Sequence, residues 1–193
     1  EALEYWVSLA DEGVSPSGTI SWGTLPDDFA SGGTSVIWTT TGQLSNIRDQ
    51  ADFDFGVSVL PANEQPGSPT GGGNIYVFKD TTEEEQQAAV KLARFLSSPE
   101  LQAEWTVASG YVAPLEAAWE VDELATYAEE FPASRVAIEQ LPNAVGEMAT
   151  HRRGEIEETL LNGIGAALNG EDAGESMRQA QETADGILAE YQQ

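Results

Sequence analysis

Four stretches decide the fold when read in order: TSVIWTTTGQLSNIR at 34–48, FDFGVSVLPA at 53–62, GGGNIYVF at 71–78 and AAVKLARFLSSPELQAEWTVASGYVAP at 88–114. In the first, Val36, Ile37 and Trp38 make an apolar, branched run too short for a helix. That pattern predicts a buried strand over 34–39, followed by a helix that Thr41 caps. Residues 53–60 alternate towards a second strand, and Gly71, Gly72 and Gly73 lead into a third over 74–78. Thr82 and Glu85 then spell a capping box that opens a helix running to about Ser97. Ser98-Pro99 starts another helix, and Gly110 stops it.

Outward from this block the signals are mostly helical. Ala2, Leu3, Tyr5, Trp6 and Leu9 fall at helical spacing, with Gly13 as the C-terminal cap. Pro26-Asp27-Asp28-Phe29 starts a short helical turn that Gly32 and Gly33 close, inside an otherwise loop-like 16–33. Residues 61–69 form a Pro/Gly/Ser/Asn linker. Beyond Ala117, helices are predicted over 132–140, 153–168 and 174–191, separated by Pro142 and Gly170. Solenoid periods are absent.

The chain carries 33 Asp plus Glu against 8 Lys plus Arg, a net charge of -25, yet 40 % of its residues are hydrophobic. That much apolar residue separates it from the low-hydrophobicity composition of disordered segments, so the charge belongs to the solvated surface of a folded protein. Nucleic acid is not expected as a partner, because a phosphate backbone needs clustered cations and the only adjacent pair is Arg152 and Arg153. An acidic surface with only two lysines, Lys79 and Lys91, resembles proteins of salt-loving organisms, and predicts a fold that dilute buffer loosens and salt restores. With 0 Cys there is no disulfide, thiolate nucleophile or sulfur-bound metal. No apolar run approaches the roughly 18 to 20 residues that span a bilayer, and no secretory h-region is present. The opening EALEYWVSLADEG reads as a helix already under way. It is expected to be either a processed form or piece whose front half, with any export signal, lies elsewhere, or a domain trimmed on purpose.

Several residues offer chemistry. Thr39, Thr40, Thr41 and Gly42 stand where a strand gives way to a helix, and free N–H groups there with the hydroxyls form a donor cluster for sugar hydroxyls or a phosphate. Read alone, Thr41 is a helix cap. Gly71, Gly72 and Gly73 permit positive φ and close approach of a ligand to the main chain, but no P-loop lysine follows, so nucleotide binding is unsupported. Tyr111 offers a stacking face and a hydroxyl; its plainer role is a half-buried residue at a helix end. Trp105 is expected in the core on a face shared with Leu101, whereas Trp38 is the better cleft residue. Arg152 and Arg153 beside His151 are a cationic spot suited to clamping an anion, or else pair with Glu147, Glu155, Glu157 or Glu158. His151 is the sole histidine, and His151 with Glu155 is a single helical pair and no metal site; no GxSxG elbow occurs, and Asp52-Phe-Asp54 lacks a calcium loop's spacing.

The order and spacing of the four stretches closely resemble the second half of the extracellular solute-binding proteins that feed ABC importers, in the branch that takes up sugars and glycerol phosphates. The likeness is strongest over 34–114 and thin after Glu120. It implies an α/β fold of periplasmic-binding-protein-like type II, here the helix-rich carboxy-terminal half of a two-lobed receptor. Residues 1–66 and 113–193 would belong to the carboxy-terminal lobe, 67–112 would cross into the amino-terminal lobe, and the linker would hold the hinge. In the related glycerol-3-phosphate-binding proteins a serine pair occupies the positions of Thr40 and Thr41. A ligand-facing glycine matches Gly71 or Gly72, with Asn74 beside it. The family's Gly-Tyr-x-Pro turn matches Gly110-Tyr111, lengthened here by one residue to Gly-Tyr-Val-Ala-Pro. The glycerol-phosphate branch has an arginine two residues after a glycine in its C-terminal stretch; here Gly146 is followed by Glu147 and Met148, which counts against glycerol phosphate.

The resemblance therefore implies a ligand site of Trp38, Thr40, Thr41, Gly42, Gly71, Gly72, Asn74, Tyr111 and Arg152. It implies a binding protein and not an enzyme, with no cofactor or metal, a small-molecule solute and ABC permease subunits as partners, a monomeric state, and a place at the extracellular face of the membrane or in the periplasm. A carbohydrate-active enzyme, with two carboxylates about 5 to 10 Å apart, and a non-transport interaction domain with an exposed apolar patch are the rival readings.

Overall fold

The computed structural model describes residues 1–191. Two compact units make up the chain: Glu1–Trp22 with the residues from Met148 on, and Gly23–Glu147.

In the first unit helix α1 (Ala2–Asp11) packs on α8 (Arg153–Leu168) and α9 (Ala173–Leu188). The helix ends obey local chemistry. At α1, Gly13 takes a left-handed φ of 70°, its N–H donates to Ala10 O at 3.0 Å and that of Val14 to Leu9 O at 2.9 Å, the double bond of a Schellman stop. Gly170, φ 101°, closes α8 in the same way through Ala167 and Ala166. Asp172 caps α9 by accepting from Glu175 N at 2.8 Å. The crossing of α8 and α9 is close because Gly163 faces Ser176 and Ala180: a Cβ on Gly163 would stand 3.1 Å from that of Ala180.

In the second unit the chain order is α2 (Leu25–Ala30), a 3₁₀ turn Thr41–Gln43 running into α3 (Leu44–Gln50), β1 (Ser68–Thr70), α4 (Glu83–Leu96), α5 (Pro99–Ser109), α6 (Asp122–Glu130), α7 (Val136–Gln140) and β2 (Ala144–Gly146). Its core joins Ala103 of α5 to Ala113, Ala118, Leu124 and Tyr127, with Val107, Trp119, Val121 and Phe131 packed around them. A chain of edge-to-face rings continues it from Tyr127 to Phe131, Phe55, Phe29 and Phe53, with centroids 5.5 to 6.2 Å apart. Such pairs contribute about 0.5–1.5 kcal/mol each beyond their burial. Arg48 of α3 lies over both Tyr127 and Phe131, at 5.1 and 5.3 Å. The helix starts are as the sequence predicts: Thr82 and Glu85 form the reciprocal capping box of α4, and Ser98 caps α5.

The strands differ from expectation. Residues 34–39, 53–60 and 74–78 form no ladder; the described sheet has two short parallel strands, with Ser68 opposite Ala144 and Thr70 opposite Gly146. Nor is 34–39 buried, since Val36 is 71 % exposed, and in the third run Tyr76 and Phe78 are each 76 % exposed. Branched and aromatic residues state only that a segment would suit a sheet; a ladder needs a partner backbone in register, and these three segments pair with none among the described residues. Trp105 is also not in the core: it is 57 % exposed, because α5 turns its small residues Ala103 and Thr106 inward.

Candidate functional site

Two glycines bring the predicted threonine cluster and the predicted tyrosine together. The cap of the Thr41–Gln43 turn is Thr40, not Thr41: Thr40 is extended (φ -81°, ψ 150°) and its Oγ1 accepts from Gly42 N at 3.4 Å. Both residues carry a hydroxyl, so the sequence could not separate them; the 3₁₀ start places the cap one residue earlier. Gly42 then has no side chain because Tyr111 occupies the place. A Cβ on Gly42 would stand 2.6 Å from Tyr111 Cε2 and from its hydroxyl oxygen.

Gly110 makes this possible from the other side. It ends α5 in the left-handed conformation, φ 89°. A Cβ there would stand 2.6 Å from Thr41 O and 2.7 Å from Leu44 Cβ. Beneath it the buried Ser45 donates its hydroxyl to Val107 O at 3.1 Å, tying α3 to α5. Tyr111 N donates to Ser109 Oγ at 3.2 Å, and the ring remains 45 % exposed. A half-exposed tyrosine thus stands with its hydroxyl end against Gly42, beside the turn that Thr40 and Thr41 begin.

A second meeting point lies where β1 and β2 end. A Cβ on Gly71 would stand 3.0 Å from Glu147 Oε1, whereas Gly72 and Gly73 have open space around them. None of these three glycines takes a positive φ, so access to the main chain, and not turn geometry, distinguishes them. Asn74 is exposed. Glu147, directly after Gly146, enters the sequence reading as a possible partner of Arg152 or Arg153. Ser45 and Gly110, the supports of the first cluster, were missed as such.

Trp38 is 45 % exposed. Trp119 donates its indole N–H to Ala113 O at 3.2 Å beneath Arg135, a packing role. Arg152, in the other unit, has a left-handed φ of 51° and grips Glu155 through Nε and Nη2 at 2.7 and 2.6 Å, with Glu190 3.6 Å away. The hydrogen bonds to Glu155 hold its pKa above the ordinary arginine value. His151 stacks on Tyr191 at 4.2 Å. Among the described residues no group of His, Asp and Glu is arranged to hold a metal, and no helix is long and apolar enough to cross a membrane.

Thr40, Thr41, Gly42 and Tyr111 thus meet at one place on the second unit, with the tyrosine half-exposed. The comparisons agree on the class of protein. The family model for bacterial extracellular solute-binding proteins matches residues 1–133, and the chain belongs to that family. The sn-glycerol-3-phosphate-binding periplasmic protein UgpB of Salmonella typhimurium is 30 % identical over 122 residues, 61 % of this chain and 28 % of that protein. Among solved structures, UgpB from Mycobacterium tuberculosis in complex with glycerophosphocholine superposes with a TM-score of 0.77 at 26 % identity, covering 86 % of this chain and 43 % of that one. The cyclic alpha-maltosyl-1,6-maltose binding protein from Arthrobacter globiformis gives 0.77 at 25 % identity, over 97 % and 47 %. The fold is therefore of the periplasmic-binding-protein kind, and the chain spans 28 % of the length of its curated relative and under half of either solved one. The Salmonella relative is by name a periplasmic binding protein, and the Arthrobacter one a binding protein.

Proposed function

We propose that this chain is part of the substrate-binding component of an ABC importer, which captures a sugar, oligosaccharide, polyol or glycerol phosphate between two lobes and delivers it to the permease. The seating of Tyr111 on Gly42 beside Thr40 and Thr41 carries the reading. A tyrosine supplies both a face for the apolar side of a sugar ring and a hydroxyl, and the Thr40 and Thr41 side chains supply two further hydroxyls. Trp38, Gly71, Gly72 and Asn74 complete the proposed site. Arg152 spends its guanidinium on Glu155, and the proposed site does without it.

Binding is by closure, a population shift driven by contacts from both lobes, with no bond made or broken and no cofactor. The receptor acts outside the cytoplasmic membrane as a monomer, and its acidic surface suits high salt. Residues 1–66 and 113–193 are assigned to the carboxy-terminal lobe and 67–112 to a crossing into the other. Exposure of Ile75, Tyr76, Val77, Phe78, Val90, Leu92, Phe95 and Leu96 supports the crossing, since these would be covered by that lobe.

The test is calorimetric titration of the full-length protein in molar salt with maltose, maltotriose, trehalose, glycerol and glycerol 3-phosphate, followed by recovery of the solute. Tight binding of one member, recovered unchanged and lost in Tyr111→Ala, is the expected result. Turnover of the solute would move the assignment to a carbohydrate-active enzyme.

A further inference from the structure

The sequence holds two Asn-Gly pairs, Asn162-Gly163 and Asn169-Gly170, and the fold sets them in opposite surroundings. A glycine after asparagine leaves the main-chain nitrogen open to the side-chain amide, because no Cβ stands in the way. At the first pair that nitrogen is locked. Gly163 is buried in the middle of α8, where its N–H belongs to the helix ladder, and a Cβ on it would stand 3.1 Å from that of Ala180 and 3.2 Å from Ser176 O. At the second pair α8 has just ended. Asn169 and Gly170 are both exposed, Gly170 has the left-handed φ of 101°, and a Cβ on it would meet nothing within 4 Å. The bonds that hold this pair are those of a final turn in water: Gly170 N–H to Ala167 O at 3.0 Å and Asn169 Nδ2 to Gly165 O at 2.8 Å. Helix ends of this kind open far more readily than helix interiors.

We infer that Asn169 is a site of spontaneous modification, at which water converts the side-chain amide to a carboxylate while Asn162 is spared. Asparagine is among the thermolabile residues, and the step needs no catalyst beyond hydroxide. The Gly170 nitrogen gives up its proton and attacks Asn169 Cγ. The N–Cγ bond forms, the Cγ–Nδ2 bond breaks, and the amide nitrogen leaves as ammonia. Water then opens the cyclic imide, at Cγ to give aspartate or at the main-chain carbonyl to give isoaspartate; overall a water enters, an ammonia leaves and nothing is oxidised or reduced. The product acts on the end of α8. A carboxylate cannot donate to Gly165 O, and it adds negative charge at the negative end of the helix dipole. The same end holds the loop 13–18, since Gly18 N–H donates to Leu168 O at 3.1 Å and a Cβ on Gly18 would stand 3.2 Å from Asn169 Oδ1. Modification therefore loosens that attachment.

The experiment ages the full-length protein in mildly alkaline buffer, folded in molar salt in one arm and unfolded in urea in the other. Fragmentation mass spectrometry follows each Asn-Gly pair, an isoaspartate assay follows the rearranged product, and Tm is read on the aged folded sample. In urea the two pairs react alike. In the folded protein Asn169 reacts at least about tenfold faster than Asn162, isoaspartate accumulates at Asn169, and Tm falls by about 2 °C or more. The variant Asn169→Gln, whose longer side chain closes the ring slowly, keeps its mass and its Tm on ageing. Equal rates at the two pairs in the folded protein, or a faster Asn162, would overturn the inference. So would an Asn169 left unmodified over a period in which the urea arm reacts to completion, and an unchanged Tm in fully modified protein would overturn the loosening of α8.

Discussion

Two glycines a few ångströms apart are predicted to fail in opposite ways when given a methyl group. In Gly42→Ala the new Cβ would stand 2.6 Å from Tyr111 Cε2 and hydroxyl, well inside the contact distance of about 3.5–4.0 Å. The obstacle is a half-exposed ring, which can swing into water by about 1 Å. Stability should therefore change by no more than about 1 kcal/mol, because crowding is relieved and alanine regains up to about 1 kcal/mol of helix propensity. Affinity should fall about tenfold, as the ring leaves the threonine hydroxyls. In Gly110→Ala the obstacle is backbone, Thr41 O at 2.6 Å, and φ is 89°. The left-handed conformation costs a side chain about 1–2 kcal/mol and overpacking about 1–3 more, so a loss of about 2–4 kcal/mol is expected. Urea unfolding and calorimetric titration of both variants separate the two outcomes. Wild-type affinity in Gly42→Ala, or wild-type stability in Gly110→Ala, would refute the packing described.

Three further outcomes follow from the same structure. Raising salt from 0.1 to 3 M should increase Tm by about 5 °C or more, since a net charge of -25 repels itself over a Debye length that shrinks from about 10 Å to under 3 Å; a flat or falling Tm would contradict it. Ser45→Ala leaves Val107 O without its 3.1 Å partner in a buried place and should cost about 1–2 kcal/mol in urea unfolding. The Thr82 backbone N–H, helped by the Thr82 hydroxyl, holds the Glu85 carboxyl below its ordinary pKa. A lowered folded pKa adds stability above the unfolded value and loses it as pH falls through the folded one, so the stability gap between wild type and Glu85→Ala should be constant above about pH 5 and narrow on acidification.

Legibility divided along the range of the interactions involved. Helix ends were legible because their signals act within a few residues: Gly13, Gly110 and Gly170 take left-handed φ values, the Thr82–Glu85 box forms as spelled, and α8 runs from Arg153 to Leu168 as predicted. The three expected strands depended on partners elsewhere, and apolar residues such as Val36 and Phe78 carry no information about whether one arrives. Face assignment on α5 failed for a related reason: Leu101 and Trp105 outweigh Ala103 and Thr106 in apolar bulk, yet close packing chose the small residues. At the site, the threonines and Tyr111 were legible as residue types, but their meeting over Gly42 depends on Gly110 bringing α5 against Thr41, a contact across nearly seventy residues that no local pattern records.

The most direct measurement is a crystal structure of the full-length protein with the solute that calorimetry selects. The account predicts that solute against the Tyr111 ring, with its hydroxyls bonded to Thr40, Thr41 or the Tyr111 hydroxyl and its other end at Gly71 and Gly72. A solute bound with none of these residues in contact would contradict it.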